Sequence, residues 1–175
     1  MARRTASINR APVLTLWAAI VAQRLGFNRA EALTLGKAVA GMNAYAKGVR
    51  LGIYEPSPQS VKEQREKMKH GEHLHVALLN RAVPVARTPE GLRALAKEKP
   101  VDPKSVGKYL ESKFGDALGD VAGAMTKLAA SMPPKDLAAK AYKLYEEFRP
   151  EIPEGVRGWG AASLLDLKLI EDLAP

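Results

Sequence analysis

The chain has 175 residues, of which 46% are hydrophobic and 26% charged, a composition that is typical of a folded globular protein and argues against disorder. It contains no cysteine, which excludes disulfide bonds and thiolate metal ligands and predicts a cytoplasmic protein. The longest apolar run, Ala11–Ala22, is only about half as long as a membrane span, so we expect a soluble protein with no membrane partner.

The net charge of +8 is concentrated at one end of the chain. Residues 1–70 contain 12 Lys and Arg against four Glu, whereas residues 71–175 contain 15 basic and 15 acidic side chains. A segregated positive charge attracts polyanions and speeds encounter with them. The alternative is a solubilising surface, but such a surface usually mixes the two signs more evenly. The charge distribution therefore favours a nucleic-acid partner.

The first elements predicted are an arm and a helix. Residues 1–10 are polar and basic without a period, which predicts a flexible arm. Pro12 suits the first turn of a helix, and apolar residues follow it at helical spacing. Gly26 is expected to end this helix.

A second helix is predicted directly after this glycine. Asn28 is expected to cap it, and Glu31 completes the pattern of a capping box. Gly48 is expected to end the helix, a turn follows at residues 55–58, and a short charged helix is predicted over Val61–Lys69.

The period then changes to that of strands. Residues 73–80 and 81–88 are predicted to form a β-hairpin that turns near Asn80 and Arg81. Pro84 is expected to confine the second strand to an edge of the sheet. Thr88, Pro89 and Glu90 are expected to begin a helix that reaches about Lys97.

Helices are predicted for the remainder of the chain. Asp102 and Pro103 are typical of a helix start, a second helix follows Gly115, and a third follows the break at Pro133 and Pro134. A short amphipathic helix is expected at the C-terminal end. The predicted fold is mainly α, with a basic N-terminal helical unit, a short β-hairpin and a C-terminal helical bundle. The predicted divisions are 1–70, 71–100 and 101–175.

The segment Ile20–Leu35 has a small residue, Ala22, followed four positions later by Gly26, with apolar residues around them. It resembles the generic helix-turn-helix pattern of DNA-binding proteins. The resemblance implies that the second helix enters the major groove. The residues expected to face DNA are then Asn28, Arg29 and Thr34 at base edges and Lys37 at a phosphate. A long helix rich in Ala and Gly is, alternatively, typical of a close-packed core helix.

Other basic residues are further candidates for DNA contacts. Arg3, Arg4 and Arg10 precede the first helix and are expected to enter a minor groove or to contact phosphates. Lys47 and Arg50, which lie beside glycines, are candidates for phosphate contacts from a loop. The alternatives are an incidentally charged terminus and ordinary charges at a helix C-terminus.

The histidines form one group in the sequence. His70, His73 and His75 lie close together with Glu72 between them, and two of them alternate along the predicted strand. Such a group is a candidate zinc site, and a solvated histidine-rich loop is the alternative. No other cofactor is expected.

The leading hypothesis is a DNA-binding protein, either a transcriptional regulator or a protein associated with the nucleoid. The helices after Asp102 are expected to form a homodimer. No catalytic triad and no phosphate-binding glycine loop is present in the sequence, so we do not expect an enzyme. The alternatives are an interaction module that docks an acidic protein and a small metal-dependent enzyme that uses the histidines.

Overall fold

The first long helix lies at the centre of the molecule. The computed structural model describes residues 5–8, 10–50, 74–96, 99–150 and 163–174, and only the backbone of residues 43–50, 74 and 163. Helix α1 extends over Arg10–Arg24, and every residue from Pro12 to Ala22 is buried. A helix that is apolar all round needs other elements on all its sides. The apolar run of the sequence is thus the core helix of the fold.

The other described helices are mostly arranged around α1. They are α2 (Arg29–Arg50), α3 (Pro103–Phe114), α4 (Leu118–Ala130), α5 (Pro134–Phe148) and α6 (Leu167–Asp172). Helices α2 to α5 pack against α1, and a short 3-10 turn at Gly115–Ala117 joins α3 to α4. The side chain of Asp102 accepts a hydrogen bond from the Lys104 amide at 3.1 Å, so it caps α3 as predicted.

Antiparallel strands form two small sheets in the described part of the chain. In one sheet, β1 (Thr5–Ile8) pairs with β6 (Ser163–Asp166). The strand order of the other sheet is β2 (Leu74–Leu78), β3 (Arg81–Thr88), β4 (Gly91–Ala96) and β5 (Lys99–Pro100). Leu79 and Asn80 have φ values of 46° and 63° and form the tight turn between β2 and β3. The second sheet packs against α2 through β3 and β4.

The prediction of a flexible arm over residues 1–10 is wrong for Thr5–Ile8, because these residues form β1. Ala6 and Ile8 are buried while Thr5 and Ser7 are exposed. The partner strand lies near the other end of the chain, with Thr5 opposite Asp166. A strand of four residues depends on pairing with another strand for its stability. The local sequence pattern does not show which segment of the chain supplies that partner.

The prediction of a helix from Thr88 to about Lys97 is also wrong, because Gly91–Ala96 forms β4. Pro89 and Glu90 form the turn that joins β3 to β4, and Gly91 has a φ of 120°. The segment contains good helix formers, but its strand conformation depends on pairing with β3 and on contacts with α2. Tertiary contacts therefore override the local propensity.

Pro84 does not mark an edge strand, since β3 lies between β2 and β4. The ladder between β3 and β4 begins with Val85 opposite Ala94, so Pro84 lies just outside it. The missing N–H of the proline is accommodated because Pro84 is paired only on the side of β2, opposite His75.

Described residues from all three predicted segments, 1–70, 71–100 and 101–175, contribute to one hydrophobic core. The indole N–H of Trp17 donates to the Ala141 carbonyl oxygen at 2.9 Å. The ring of Trp17 packs edge-on against that of Phe148, with centroids 5.3 Å apart. Leu78 and Val83 of the sheet belong to the same core. None of the described helices combines the length and the apolar character that crossing a membrane requires.

Candidate nucleic-acid interface

The junction of α1 and α2 has the local geometry that the sequence predicts. Gly26 has a φ of 116°, which suits glycine, in the turn that follows α1. The amide of Glu31 donates to Oδ1 of Asn28 at 2.9 Å, and the amide of Asn28 donates to Oε1 of Glu31 at 3.1 Å. These reciprocal bonds form the predicted capping box. The side-chain oxygen of Asn28 is therefore engaged in the helix cap.

The first turns of α2 hold strand β4 in place. Oε2 of Glu31 accepts a hydrogen bond from the Leu92 amide at 3.0 Å. Oγ1 of Thr34 accepts one from the Ala94 amide at 3.0 Å and donates to the carbonyl oxygen of Glu31 at 2.8 Å. We name Glu31, Thr34, Leu92 and Ala94 the α2–β4 clamp. The two hydrogen bonds between α2 and β4 join residues that are far apart in the sequence.

The clamp affects the ionisation of its carboxylate. Hydrogen bonds from the amides of Leu92 and Asn28 lower the pKa of Glu31, and the positive charge of Arg93 contributes in the same direction. Desolvation opposes this change. The ionised form of Glu31 is thus the form that the clamp stabilises.

Helix α2 stays in close contact with α1 well beyond the turn. A Cβ atom on Gly36 would overlap the carbonyl oxygen of Thr15 and lie 3.0 Å from the backbone nitrogen of Ala19. From Ala32 to Ala40, every residue of α2 except Lys37 is buried. Over these residues α2 has the environment of a close-packed core helix, the alternative that its Ala and Gly content suggests.

The predicted DNA-contacting residues near this junction have different surroundings. Arg29 is exposed in the first turn of α2, whereas Thr34 is fully buried in the clamp. Arg10 is buried, and its Nε donates to the carbonyl oxygen of Pro150 at 2.6 Å. Arg10 therefore fixes the start of α1 to the end of α5, and neither it nor Thr34 faces solvent.

Lys37 lies where α2 meets α3. Its Nζ lies 4.0 Å from the centre of the Tyr109 ring, a cation–π contact. Lys113 follows Tyr109 by one helical turn and lies on the same side of α3. We name Lys37, Tyr109 and Lys113 the lysine–tyrosine cluster. Lys37 is a predicted DNA contact, whereas Tyr109 and Lys113 are not predicted from the sequence.

Lys37 and Tyr109 are partly buried, Lys113 is exposed, and the cluster is positively charged. Burial lowers the pKa of Lys37, and the charge of Lys113 lowers it further. Burial also raises the pKa of Tyr109. Among the described residues, no carboxylate forms an ion pair with Lys37 or Lys113. The cluster therefore carries positive charge without a counter-charge from those residues.

Lys113 is not predicted from the sequence because the positive and negative charges of residues 71–175 cancel over the whole segment. Within Pro103–Phe114 alone, three lysines stand against one glutamate. Charge summed over each predicted helix, rather than over each half of the chain, is the signal that identifies α3 as basic.

Several predicted residues lie outside the part of the chain that the structure describes. These are Arg3, Arg4, His70, Glu72 and His73. Lys47 and Arg50 belong to α2, where only the backbone is described. His75 is exposed on β2, and no group of three metal-ligating side chains occurs among the described residues. The zinc hypothesis stays a prediction.

Comparison of the chain with models of protein families, with curated proteins and with solved structures found no match.

Proposed function

We propose that the chain is a non-enzymatic DNA-binding protein that holds duplex DNA through its phosphate backbone. The observation that carries this proposal is the position of the charge, since residues 1–70 hold the whole excess of +8. Duplex DNA carries one negative charge per about 1.7 Å of its axis, and cations that neutralise phosphates release bound counterions. A basic segment without balancing carboxylates is suited to this kind of binding.

Two described cations belong to the proposed interface, Arg29 and Lys37. Arg29 is exposed, and Lys37 is the one residue between Ala32 and Ala40 that is not fully buried. Arg3 and Arg4 remain predicted contacts, and the strand that follows them, β1, is paired with β6 and packs against α3. Lys47 and Arg50, further along α2, also remain predicted contacts.

Binding that is independent of base sequence is better supported than base reading. Of the three predicted base readers, Thr34 is buried and Asn28 has its side-chain oxygen bonded to the Glu31 amide. Arg29 is the exposed candidate whose side chain lies outside the capping box. Because Arg10 and Thr34 are buried, we leave both out of the interface. This favours a nucleoid-type binder over a regulator with a defined target site.

The helix-turn-helix resemblance and the homodimer stay predictions. The helices after Asp102 were expected to form the dimer, and the buried apolar residues of α3, α4 and α5 belong to the core around α1. Of the large hydrophobic side chains in the described residues, only Leu164 and Leu169 are exposed. A dimer interface on α3 to α5 would therefore be largely polar.

The proposal is tested by fluorescence anisotropy of labelled duplex DNA titrated with the full chain at several salt concentrations. We expect the double variant Arg29→Ala and Lys37→Ala to bind more weakly. The slope of log K against log salt should also fall by about 2, because each neutralised phosphate contributes about 0.9. The matched control is Lys135→Ala with Lys140→Ala, two exposed lysines of α5.

The control variant should bind like the wild type, although it loses the same charge. An equal loss of DNA-binding affinity in both double variants would contradict the placement of the interface at Arg29 and Lys37. No binding by the wild type at low salt would contradict the proposal itself, and docking of an acidic protein would become the function to test.

A further inference from the structure

We infer that the lysine–tyrosine cluster is a phosphate-binding site at the seam of α2 and α3, and that its occupant is a phosphodiester group of the DNA backbone. The inference rests on the proposed function, which it extends to Tyr109 and Lys113. These residues belong to the part of the chain whose overall charge is zero.

One cation of the cluster, Lys37, is held in position before any ligand binds. Lysine side chains lose considerable rotamer freedom when they bind a ligand in one geometry. The Tyr109 ring, 4.0 Å from Nζ of Lys37, already restricts that ammonium group, and the surrounding residues of α2 are buried. A cation that is held in place before binding loses less entropy when it binds.

No carboxylate among the described residues forms an ion pair with Lys37 or Lys113. At about 3.6 residues per turn, Glu111 projects from the side of α3 opposite to Tyr109 and Lys113. Glu31, the acidic residue of the described part of α2, is engaged in the α2–β4 clamp. Two neighbouring ammonium groups repel each other, so an anion between them removes an unfavourable interaction.

The chemistry of a phosphate group matches the two ammonium groups of the cluster. Each ammonium group presents N–H donors and no acceptor, which matches the oxygens of a phosphate. A phosphodiester brings charge and acceptor oxygens to a surface site without the need for a deep pocket. Direct phosphate contacts of this kind do not depend on the base sequence.

The test uses the full chain and labelled duplex DNA, with anisotropy recorded at several salt concentrations. Lys113→Ala should reduce the slope of log K against log salt by about 1, the effect of one lost phosphate contact. Lys104→Ala is the matched control, because this exposed lysine lies on the side of α3 opposite to Lys113. It should leave the slope unchanged.

The role of the ring is tested separately. Tyr109→Phe keeps an aromatic ring under Lys37 and should bind like the wild type. Tyr109→Leu removes the ring and should weaken binding. Equal binding by the Phe and Leu variants would overturn the claim that the ring positions Lys37.

A second measurement separates failure of the site from failure of the proposed function. With carbon-13 in the tyrosines, the Tyr109 signal, assigned with Tyr109→Phe, is followed during titration with inorganic phosphate against chloride at equal ionic strength. A saturable shift without DNA binding would overturn the DNA function and support a site for a free phosphate group. DNA binding with no shift, and with equal slopes for Lys113→Ala and Lys104→Ala, would overturn the site alone.

Discussion

The α2–β4 clamp and the lysine–tyrosine cluster each include residues of α2, but these residues contact different elements, β4 in the clamp and α3 in the cluster. In the clamp, Glu31 and Thr34 bind backbone amides of β4, so the polar atoms of both side chains are used to hold the fold together. In the cluster, Lys37 contacts an aromatic ring and lies near another cation. Buried polar groups need internal partners, whereas a cation without a counter-charge is suited to an external ligand. On helix α2, Glu31 and Thr34 are therefore structural residues, and Lys37 is a candidate binding residue.

The largest effect is expected where α2 touches α1. Gly36→Ala should destabilise the protein by about 3 kcal/mol, the upper end of overpacking costs, because the added Cβ meets the backbone of Thr15 and Ala19. Urea unfolding measures the change. Gly41→Ala is the control, since its Cβ meets nothing within 4 Å and should stabilise the helix by at most about 1 kcal/mol. Equal stability of the two variants would contradict the close approach.

Loss of the clamp hydroxyl should have an intermediate effect. Thr34→Val leaves the Ala94 amide without its acceptor, and an unsatisfied buried donor costs about 1–3 kcal/mol. The free energy of unfolding from urea titration is the measurement. Thr126→Val makes the same chemical change at an exposed position of α4 and should change stability by less than about 0.5 kcal/mol. Similar losses in both variants would show that the clamp does not stabilise the fold.

The smallest effect on stability is expected from the titration of Glu31. Its pKa in the folded protein is lower than its ordinary value of 4.5, so ionised Glu31 stabilises the fold above that pH. The wild type should be more stable than Glu31→Gln at neutral pH. This advantage should disappear as the pH falls through the lowered pKa. An advantage that does not change with pH, measured by urea unfolding across the acidic range, would contradict the charge-assisted bonds of the clamp.

The sequence predicts those features that are encoded within a few residues. The stop at Gly26, the capping box of Asn28 and Glu31, and the start of α3 at Asp102 are confirmed because each depends on neighbours in the chain. Strand β1 is not predicted, because its partner β6 is distant in sequence. Strand β4 pairs with the preceding strand β3, but its hydrogen bonds to the distant helix α2 are not visible in the local sequence.

The candidate interface shows the same limit. The helix-turn-helix resemblance names Arg29 and Lys37, but nothing local shows that Thr34 binds β4 or that Arg10 reaches Pro150. Lys113 is not predicted from the sequence either. Its electrostatic effect on Lys37 depends on the packing of α3 beside α2.

The central claim is tested most directly by comparing two variants in one DNA-binding measurement. Thr34→Val changes a structural residue, while Arg29→Ala with Lys37→Ala changes the proposed interface. At low salt, we expect the folded Thr34→Val variant to bind duplex DNA like the wild type and the double variant to bind more weakly. Weaker binding by folded Thr34→Val, together with unchanged binding by the double variant, would contradict the account.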